Sequence, residues 1–319
     1  MTRVLITGGA GFIGSSLGEA LLKQGVRVVS VDNVNNFYNP QLKKANIQRL
    51  SEYPGFESIE ADIRNQTEID GAFDSSHVDV VVHLAAMAGV RPSIEQPRLY
   101  YDVNVNGTFN VLDACARYRP KKVVLGSSSS VYGNNKTVPF SESDNVDRPI
   151  SPYAATKKMN EIMAYNMHHL HGVPICCCRF FTVYGPYQRP EMAIHKFTRM
   201  ILNDEPIPVY NFGNCERDYT YIDDIVQGLL SIMETPFEFD VVNLGGSATI
   251  TTSALIDRIG AACRKSPIIH MMPAQVGDVD ATHANIDHAK RVYGYNPRVE
   301  IHQGVKRFVE WFQCQSVVR

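Results

Sequence analysis

A tyrosine and a lysine four residues apart are the first candidates for chemistry in this sequence. Tyr153 and Lys157 are separated by Ala-Ala-Thr, and this spacing puts both side chains on one face of a helix. A phenol with a pKa of about 10 is a poor base at neutral pH, and a fixed positive charge nearby favours its phenolate. The pair is therefore a candidate base with its own cation.

A run of serines offers hydroxyl groups to the same chemistry. Lys121–Ser127 is typical of a buried strand, and Ser128-Ser129-Ser130 follows it, before Val131-Tyr132-Gly133. Doubly wound α/β proteins bind ligands at the carboxyl edge of the sheet, where these serines would lie. A Tyr-x-x-x-Lys spacing alone is common on solvated helix faces, but its combination with the serines favours a catalytic site.

A glycine-rich turn predicts a dinucleotide site. Strand Arg3–Thr7 leads into Gly8-Gly9-Ala10-Gly11-Phe12-Ile13-Gly14, which fits G-x-G-x-x-G and opens a helix. Asp32 ends the next strand about 20 residues on, where a carboxylate can accept the 2′-hydroxyl of an adenosine ribose. Asp32 would repel a 2′-phosphate, and residues 33–36 offer no arginine to receive one. The pattern favours NAD over NADP.

These residues need a parallel sheet to bring them together. Apolar β-branched runs alternate with helical patterns, which indicates an α/β fold with a doubly wound parallel sheet of Rossmann type. Strands are expected at Arg3–Thr7, Val26–Asp32, Phe56–Ala61, Val78–His83, Lys121–Ser127 and Val173–Arg179. Helices are expected at Phe12–Gln24, Gln41–Glu52, Gln66–Phe73, Ile94–Tyr118 and Tyr153–His171.

The regular alternation lapses after about Gly185, where several prolines interrupt the pattern. Helix Ile222–Glu234 and strand Val241–Leu244 then resume it, which indicates a smaller substrate-binding region interleaved with the sheet. We expect a cofactor-binding domain at residues 1–179 that also receives roughly 217–246. Residues 180–319 would mainly bind the substrate.

Composition narrows the class of protein. The chain has 319 residues, 44 % hydrophobic and 20 % charged, which is enough to bury a large core. Its net charge is -2 and it has no basic stripe, so nucleic acid is not expected as the main partner. The longest apolar run, Val78–Val90, contains Asp79 and His83 and is too short to span a membrane. With no signal peptide recognisable before the first strand and 7 cysteines favouring reduced thiols, we expect a cytoplasmic protein.

Taken together, the motifs resemble those of extended short-chain dehydrogenases/reductases that act on nucleotide sugars. The glycine run, Asp32, His83-Leu84-Ala85-Ala86, the serine run and the Tyr153/Lys157 pair carry a resemblance that covers nearly the whole chain. It implies that Tyr153 is the catalytic base, Lys157 its partner and Ser128 the hydroxyl that bonds the sugar 4-OH. It implies NAD contacts from Gly8, Gly11, Phe12, Ile13, Gly14, Asp32, Asn33, Asp62, Ile63, Leu84, Ala85, Ala86, Asn104, Tyr153 and Lys157.

The resemblance also implies the type of reaction. In this family the tyrosine phenolate takes the proton of the sugar 4-OH while the C4 hydride passes to NAD⁺, which leaves a 4-ketone. Its 4,6-dehydratases carry Asp-Glu before Val-Tyr-Gly and its uronate decarboxylases carry a Glu, whereas Ser129 and Ser130 stand here. Without an acid/base carboxylate, the remaining outcome is return of the hydride to the other face, which is 4-epimerisation.

The segment Arg179–Ala193 resembles the one found in UDP-glucuronate 4-epimerases. The resemblance implies that Thr182 and Arg189 contact the sugar carboxylate, which an arginine can bind through two parallel hydrogen bonds. A 4-keto uronate is a β-keto acid that loses CO₂ easily, so Thr182, Arg189 and Ser129 or Ser130 would have to hold its carboxylate. UDP-glucose or UDP-N-acetylglucosamine remains open as the substrate, and a non-catalytic NAD-binding regulator is the alternative from another class.

Further residues are assigned by the same resemblance. Arg217 would meet the nucleotide diphosphate, Arg91 lies on a loop over the site, and Asp278 belongs to a late Gly-Asp-Val motif. Two departures are Gln275, where simpler hexose epimerases tend to have an arginine, and Ile194-His195-Lys196, where the subfamily usually has aromatic residues. Helices Ile94–Tyr118 and Tyr153–His171 resemble those that form homodimers in the family. No metal site is expected.

Overall fold

Runs of valine, isoleucine and leucine form a parallel sheet at the centre of the protein. The computed structural model describes residues 2–75, 77–273 and 281–315. The strands in these ranges are β1 (Arg3–Thr7), β2 (Arg27–Asp32), β3 (Phe56–Glu60), β4 (Val80–His83), β5 (Lys122–Ser128), β6 (Ile175–Phe180), β7 (Thr182–Tyr184), β8 (Ile207–Tyr210), β9 (Glu216–Tyr221), β10 (Phe239–Leu244), β11 (Thr249–Thr251) and β12 (Ile269–Met272). Seven of them pair in parallel in the order β10-β6-β5-β4-β1-β2-β3.

Helices cover both faces of this sheet. They are α1 (Phe12–Lys23), α2 (Pro40–Ser51), α3 (Gln66–Asp74), α4 (Val90–Glu95), α5 (Pro97–Tyr101), α6 (Thr108–Tyr118), α7 (Pro152–His171), α8 (Ala193–Leu202), α9 (Ile222–Glu234), α10 (Thr252–Cys263), α11 (Asp287–Tyr293) and α12 (Ile301–Cys314). Val4 and Ile6 of β1 pack in one hydrophobic cluster and Leu5 in another, because successive side chains of a strand point to opposite faces. The doubly wound architecture predicted from the sequence is confirmed.

The predicted strands of the central sheet all occur, including the late one, which lies within β10 and pairs with β6. The single helix predicted at Ile94–Tyr118 is wrong. The chain breaks at Gln96, whose φ of -128° and ψ of 54° are not helical, because the following Pro97 disfavours the α conformation of the residue before it. After α5 a π-helical turn, Asp102–Gly107, leads into α6.

Two small sheets lie outside the central one. β11, β9 and β7 form the first, and β12 and β8 form the second. Asp218 in β9 joins distant segments, since its carboxylate accepts hydrogen bonds from the backbone N–H groups of Gly246, Ser247 and Ala284. Among the described helices, none is long and apolar enough to cross a membrane.

Candidate active site

A cleft opens along the carboxyl ends of the central strands. Most of the residues predicted to bind cofactor or substrate line it, and they come from the ends of strands, from the loops that follow strands and from helices α1 and α7. They are Gly8, Gly11, Phe12, Ile13, Gly14, Asp32, Asn33, Ile63, Leu84, Ala85, Ala86, Ser128, Ser129, Ser130, Tyr153, Lys157, Thr182 and Arg189. A parallel α/β sheet is expected to bind its ligand at this edge.

Four residues predicted to contact ligands lie beside or behind this cleft: Asp62, Arg217, Arg91 and Asn104. Asp62 accepts hydrogen bonds from Asn33 and Arg64, and its pKa falls to about 2, mainly through the bond from Arg64. Arg217 lines a smaller adjoining pocket, and Arg91 lies with its guanidinium carbon 5.2 Å from the ring centre of Tyr210.

Asn104 lies behind the cleft rather than in its lining. Its amide accepts from the Met87 N–H, at 2.7 Å, and donates to the Met87 carbonyl and the Thr156 hydroxyl. It projects from the π-helical turn and holds the loop that follows β4. Asp278 and Gln275 lie outside the described residues.

The glycines of the first turn have separable structural roles. Gly8 has a φ of +71°, and a Cβ on it would lie 2.7 Å from the backbone nitrogen of Ala85. A Cβ on Gly14 would collide with the carbonyl oxygen of Gly8. Gly11 differs, because the Gly8 oxygen at 3.1 Å is the sole described atom within 4 Å of its Cβ position. Gly8 and Gly14 serve the fold, whereas Gly11 is crowded only on the side of the Gly8 oxygen and leaves space on its other side at the N-terminus of α1, which fits a pyrophosphate.

Asp32 is held by a lysine that the sequence reading did not single out. The Lys43 ammonium lies 3.0 Å from Asp32 Oδ1, which also accepts from the Val34 N–H, and both charged side chains are buried. Lys43 projects from α2 into the same cleft. Only the position of this lysine on the sheet-facing side of a predicted helix could have indicated its role.

Burial shifts the two central titratable groups away from their charged forms. It raises the pKa of the Tyr153 phenol, although a hydrogen bond with Ser128 and the charge of Arg189 act in the opposite direction. It lowers the pKa of Lys157 to about 8, partly offset by the field of Glu161. The Lys157 ammonium donates to the Gly126 carbonyl at 2.7 Å and lies 6.0 Å from the Tyr153 ring centre. A further positive charge beside the phenol would favour phenolate.

A buried hydrogen-bond network behind the serines was also not predicted from the sequence. Glu161 lies one helical turn after Lys157 and accepts hydrogen bonds from Ser127, at 2.6 Å, and from Arg179, at 2.8 and 2.9 Å. Arg179 also donates to the Tyr132 hydroxyl at 3.0 Å. The network joins β5, β6 and α7, and so fixes the elements that carry Ser128 and Lys157.

His83 is also buried, and its hydrogen bonds likewise hold structural elements together. Its ring nitrogens lie 2.6 Å from the Thr7 hydroxyl and 2.9 Å from the Thr108 hydroxyl. Burial lowers its pKa to about 3, so the ring is neutral and links β1 to α6. Within the described ranges, no group of three His, Cys, Asp or Glu side chains is arranged to hold a metal ion.

Arg189 lines the same cleft as the glycines. Its guanidinium pairs with Glu191 at 2.9 Å, lies 3.6 Å from the Met192 sulfur and has its carbon 5.9 Å from the Phe37 ring centre. Thr182 lines both the cleft and the adjoining pocket that contains Arg217. Cationic and hydroxyl groups therefore lie within one continuous space beside Ser129 and Ser130.

Comparison with known proteins gives consistent results. The chain is 40 % identical over 312 residues to the UDP-glucuronate 4-epimerase of Thermodesulfobacterium geofontis, covering 98 % of this chain and 96 % of that one. A UDP-glucuronic acid 4-epimerase from Bacillus cereus, solved with UDP-glucuronic acid and NAD, superposes with a TM-score of 0.92 at 34 % identity, covering 98 % and 99 % of the two chains. A UDP-glucose 4-epimerase from Thermotoga maritima, solved with UDP-glucose, reaches 0.90 at 29 % identity, with the same coverage of 98 % and 99 %. The sequence profile of the NAD dependent epimerase/dehydratase family matches residues 4–245, and the chain belongs to that family.

Proposed function

We propose that this protein is an NAD-dependent epimerase that inverts C4 of UDP-glucuronate to give UDP-galacturonate through a transient 4-keto sugar. The observation that carries the proposal is the position of Arg189 and Thr182 in the cleft that also contains Ser128, Tyr153 and Lys157. An arginine and a hydroxyl beside the candidate base suit a sugar carboxylate. The similar enzymes from Thermodesulfobacterium geofontis and Bacillus cereus support the same substrate.

The cofactor site of the proposal is the half of the cleft nearest α1. The open face of Gly11 and the N–H groups of Phe12, Ile13 and Gly14 would bind the pyrophosphate. Asp32, with Oδ1 bonded to Lys43 and Val34, keeps Oδ2 for a ribose hydroxyl. Asn33, Ile63 and Leu84–Ala86 would line the remaining contacts, with Asp62 and Asn104 supporting them from behind. When bound there, NAD would supply the acceptor for the C4 hydride and the donor for its return.

The chain's own residues would move the proton and hold the sugar. Tyr153 as phenolate accepts the proton of the 4-OH and later gives it back, while the Ser128 hydroxyl holds that oxygen. Lys157 supplies a positive charge that favours the phenolate. Ser129 and Ser130 provide no carboxylate to abstract a proton from C5, so the ketone is reduced again rather than dehydrated.

The second half of the site would bind the nucleotide and the carboxylate. Thr182 and Arg189 hold the carboxylate, and Arg217, Arg91 and Asp278 are proposed to bind the UDP part. We propose the corresponding division of the chain, with NAD bound by residues 1–179 and roughly 217–246, and the UDP-sugar mainly by 180–319. The return of β10 to the central sheet supports this interleaving.

The proposal is tested by incubating the protein separately with UDP-glucuronate, UDP-glucose and UDP-N-acetylglucosamine and identifying the products by NMR. We expect UDP-galacturonate from the first and little conversion of the neutral sugars. Arg189→Ala should lose activity on UDP-glucuronate while retaining bound NAD. The assignment of a uronate substrate would be wrong if Arg189→Ala were as active on UDP-glucuronate as the wild type, or if the wild type preferred a neutral sugar.

The second candidate is a 4-epimerase of UDP-glucose or UDP-N-acetylglucosamine. The close superposition on the UDP-glucose 4-epimerase from Thermotoga maritima favours it, and the same incubation separates the two. A regulator that binds NAD without catalysis would not need Ser128, Tyr153 and Lys157 together in one cleft.

We further propose that the protein is a homodimer. Large apolar side chains are exposed along neighbouring helices, with Phe109 of α6 48 % exposed and Met159, Ile162 and Tyr165 of α7 42 %, 57 % and 55 % exposed. An apolar face of this kind is typical of a protein interface. Light scattering should give twice the chain mass for the wild type and a single chain for Ile162→Lys. A monomeric wild type would contradict this proposal.

We place the protein in the cytoplasm. All 7 cysteines are free thiols and only Cys314 is exposed, which suits a reducing compartment.

A further inference from the structure

The turn that carries Arg189 has an unusual backbone. Gly185 and Tyr187 both have positive φ, 146° and 67°, and the Gln188 N–H closes the turn by donating to the Gly185 carbonyl at 3.1 Å. Glycine adopts such a conformation without penalty, but a tyrosine in the left-handed region costs free energy. Contacts of the Tyr187 side chain must therefore compensate for its backbone.

Those contacts are made on two sides of the Tyr187 ring. The guanidinium carbon of Arg49 lies 4.0 Å from the ring centre, and the ring of Trp311 lies 5.3 Å away at 64°. Arg49 belongs to α2, the helix that also carries Lys43, and it is anchored by an ion pair with Glu19 of α1. Trp311 belongs to the last helix, α12. The Tyr187 ring thus joins α2, on the proposed NAD side of the cleft, to the C-terminal helix α12. Tyr187 lies two residues before Arg189 in the sequence.

The immediate contacts of Arg189 are weak by comparison. Its ion-pair partner Glu191 has a side chain that is 42 % exposed, and ion pairs of this kind contribute little to holding a side chain. The Phe37 ring, at 5.9 Å, is at the limit of a cation–π contact. The direction of the Arg189 side chain therefore depends on the backbone that presents it, and this backbone is the strained turn.

We infer that Tyr187 is a positioning residue for Arg189: its ring, held between Arg49 and Trp311, keeps the turn in the conformation that aims Arg189 at the sugar carboxylate. This inference rests on the function proposed above. It assigns the control of uronate recognition to the contacts of the Tyr187 ring with α2 and α12. These contacts lie outside the substrate cleft.

A misdirected Arg189 has a specific chemical consequence. In the 4-keto uronate, a carboxylate free to rotate can bring the C5–C6 bond perpendicular to the ketone plane. That bond then breaks, CO₂ leaves, and the electron pair moves to the C4 ketone as an enolate, after which C5 takes a proton from water. The product is a UDP-4-keto-pentose, and the hydride removed from C4 then remains with the cofactor as NADH, unless the ketone takes it back, which gives a UDP-pentose and restores NAD⁺. Loss of the Tyr187 ring should therefore change the products as well as the rate.

The test compares Tyr187→Ala, Tyr187→Phe and Arg49→Lys with the wild-type enzyme carrying its NAD. Tyr187→Ala should bind UDP-glucuronate about tenfold more weakly, bind UDP within about twofold of wild type, and release CO₂ in a larger fraction of turnovers. Tyr187→Phe keeps the ring and should behave as wild type. Arg49→Lys keeps the charge for Glu19 but loses the flat stacking surface, and should show a smaller defect of the same kind.

Tyr118→Ala is the matched control. Tyr118 also lies between an arginine, Arg117 at 5.4 Å, and an aromatic ring, Phe73 at 5.2 Å, but it is on α6, away from the cleft. It should leave affinity and products unchanged.

Trp311 provides a readout at the stack itself, because the chain has a single tryptophan. UDP-glucuronate should change its fluorescence in the wild type and UDP should not, and Tyr187→Ala should lose the response. If Tyr187→Ala retains wild-type affinity and products, or loses affinity for UDP as much as for UDP-glucuronate, the positioning role is overturned. If Tyr187→Ala does not fold, wild-type behaviour of Arg49→Lys overturns it. The activity of the wild type on UDP-glucuronate is measured first in the same assay. If the wild type does not epimerise UDP-glucuronate, the proposed function itself is refuted.

Discussion

Replacing Lys157 by methionine should abolish activity and yet stabilise the cofactor-free protein. Burial holds the pKa of Lys157 at about 8, against 10.5 for an ordinary lysine, so keeping this ammonium charged in the fold costs about 3 kcal/mol at neutral pH. Methionine has a similar length and carries no charge. Its gain is reduced by about 1–2 kcal/mol, because the bond from Lys157 to the Gly126 carbonyl is lost. The expected net effect is a stabilisation of about 1–2 kcal/mol near pH 7.

The pH dependence distinguishes this explanation from a simple packing effect. Because the folded pKa of Lys157 is lowered, the unfolded wild-type chain binds more protons between about pH 8 and the ordinary lysine pKa of 10.5. The wild type therefore gains stability relative to Lys157→Met as the pH rises, and the advantage of the variant should shrink by about 2 kcal/mol between roughly pH 7 and pH 10.

Urea unfolding of both cofactor-free proteins at several pH values measures this difference directly. A variant less stable than wild type at neutral pH, or a difference that does not change with pH, would refute the reasoning. Turnover of UDP-glucuronate by the same variant should be lost at every pH.

Four further substitutions have expected outcomes. Gly14→Ala, whose new methyl group collides with the Gly8 backbone oxygen, should lower the free energy of unfolding by about 1–3 kcal/mol. Gly11→Ala meets the same oxygen less closely, so it should lose less stability than Gly14→Ala but bind NAD about tenfold or more weakly. A Gly11→Ala protein that is destabilised as much as Gly14→Ala, or that keeps wild-type NAD affinity, would contradict these assignments. Tyr153→Phe should keep its NAD and lose about 10²–10⁴-fold in turnover, measured by NMR, and near-normal turnover would remove Tyr153 as the base. Glu191→Gln frees Arg189 from a competing carboxylate and should lower the KM for UDP-glucuronate by up to about fivefold; a higher KM would show that the pair instead holds Arg189 in place.

Much of the fold is predictable because its signals are local. A run such as Val4–Thr7 followed by the glycines indicates a strand, a tight turn and a helix without knowledge of the rest of the chain. The regular order of strands and helices then indicates which edge of the sheet carries the serines. The helix break at Gln96 also has a local cause, because Pro97 disfavours the helical conformation of the residue before it.

The contacts that support the site residues, in contrast, have no local signal in the sequence. Lys43 reaches Asp32, and Arg49 reaches Tyr187, only because α2 packs where it does, and no spacing in the sequence relates these partners. The identity of the groups that would touch ligand follows from motifs, whereas the groups that orient them depend on tertiary packing. Sequence reasoning therefore predicts a role for Arg189 and gives no indication of Tyr187 two residues earlier.

The position of β10 in the sheet has a consequence for synthesis on the ribosome. β6, with its buried Cys176–Cys178 run, pairs with β5 on one side and with β10 on the other. β10 comes later in the chain than the whole segment that contains β7, β8 and β9. Until residue 244 leaves the ribosome, the nascent chain exposes one edge of β6 with its unpaired backbone groups, and such an edge can pair with another chain. Slow translation before that point should therefore favour aggregation, and the first half of the chain is not a unit that can complete its sheet alone.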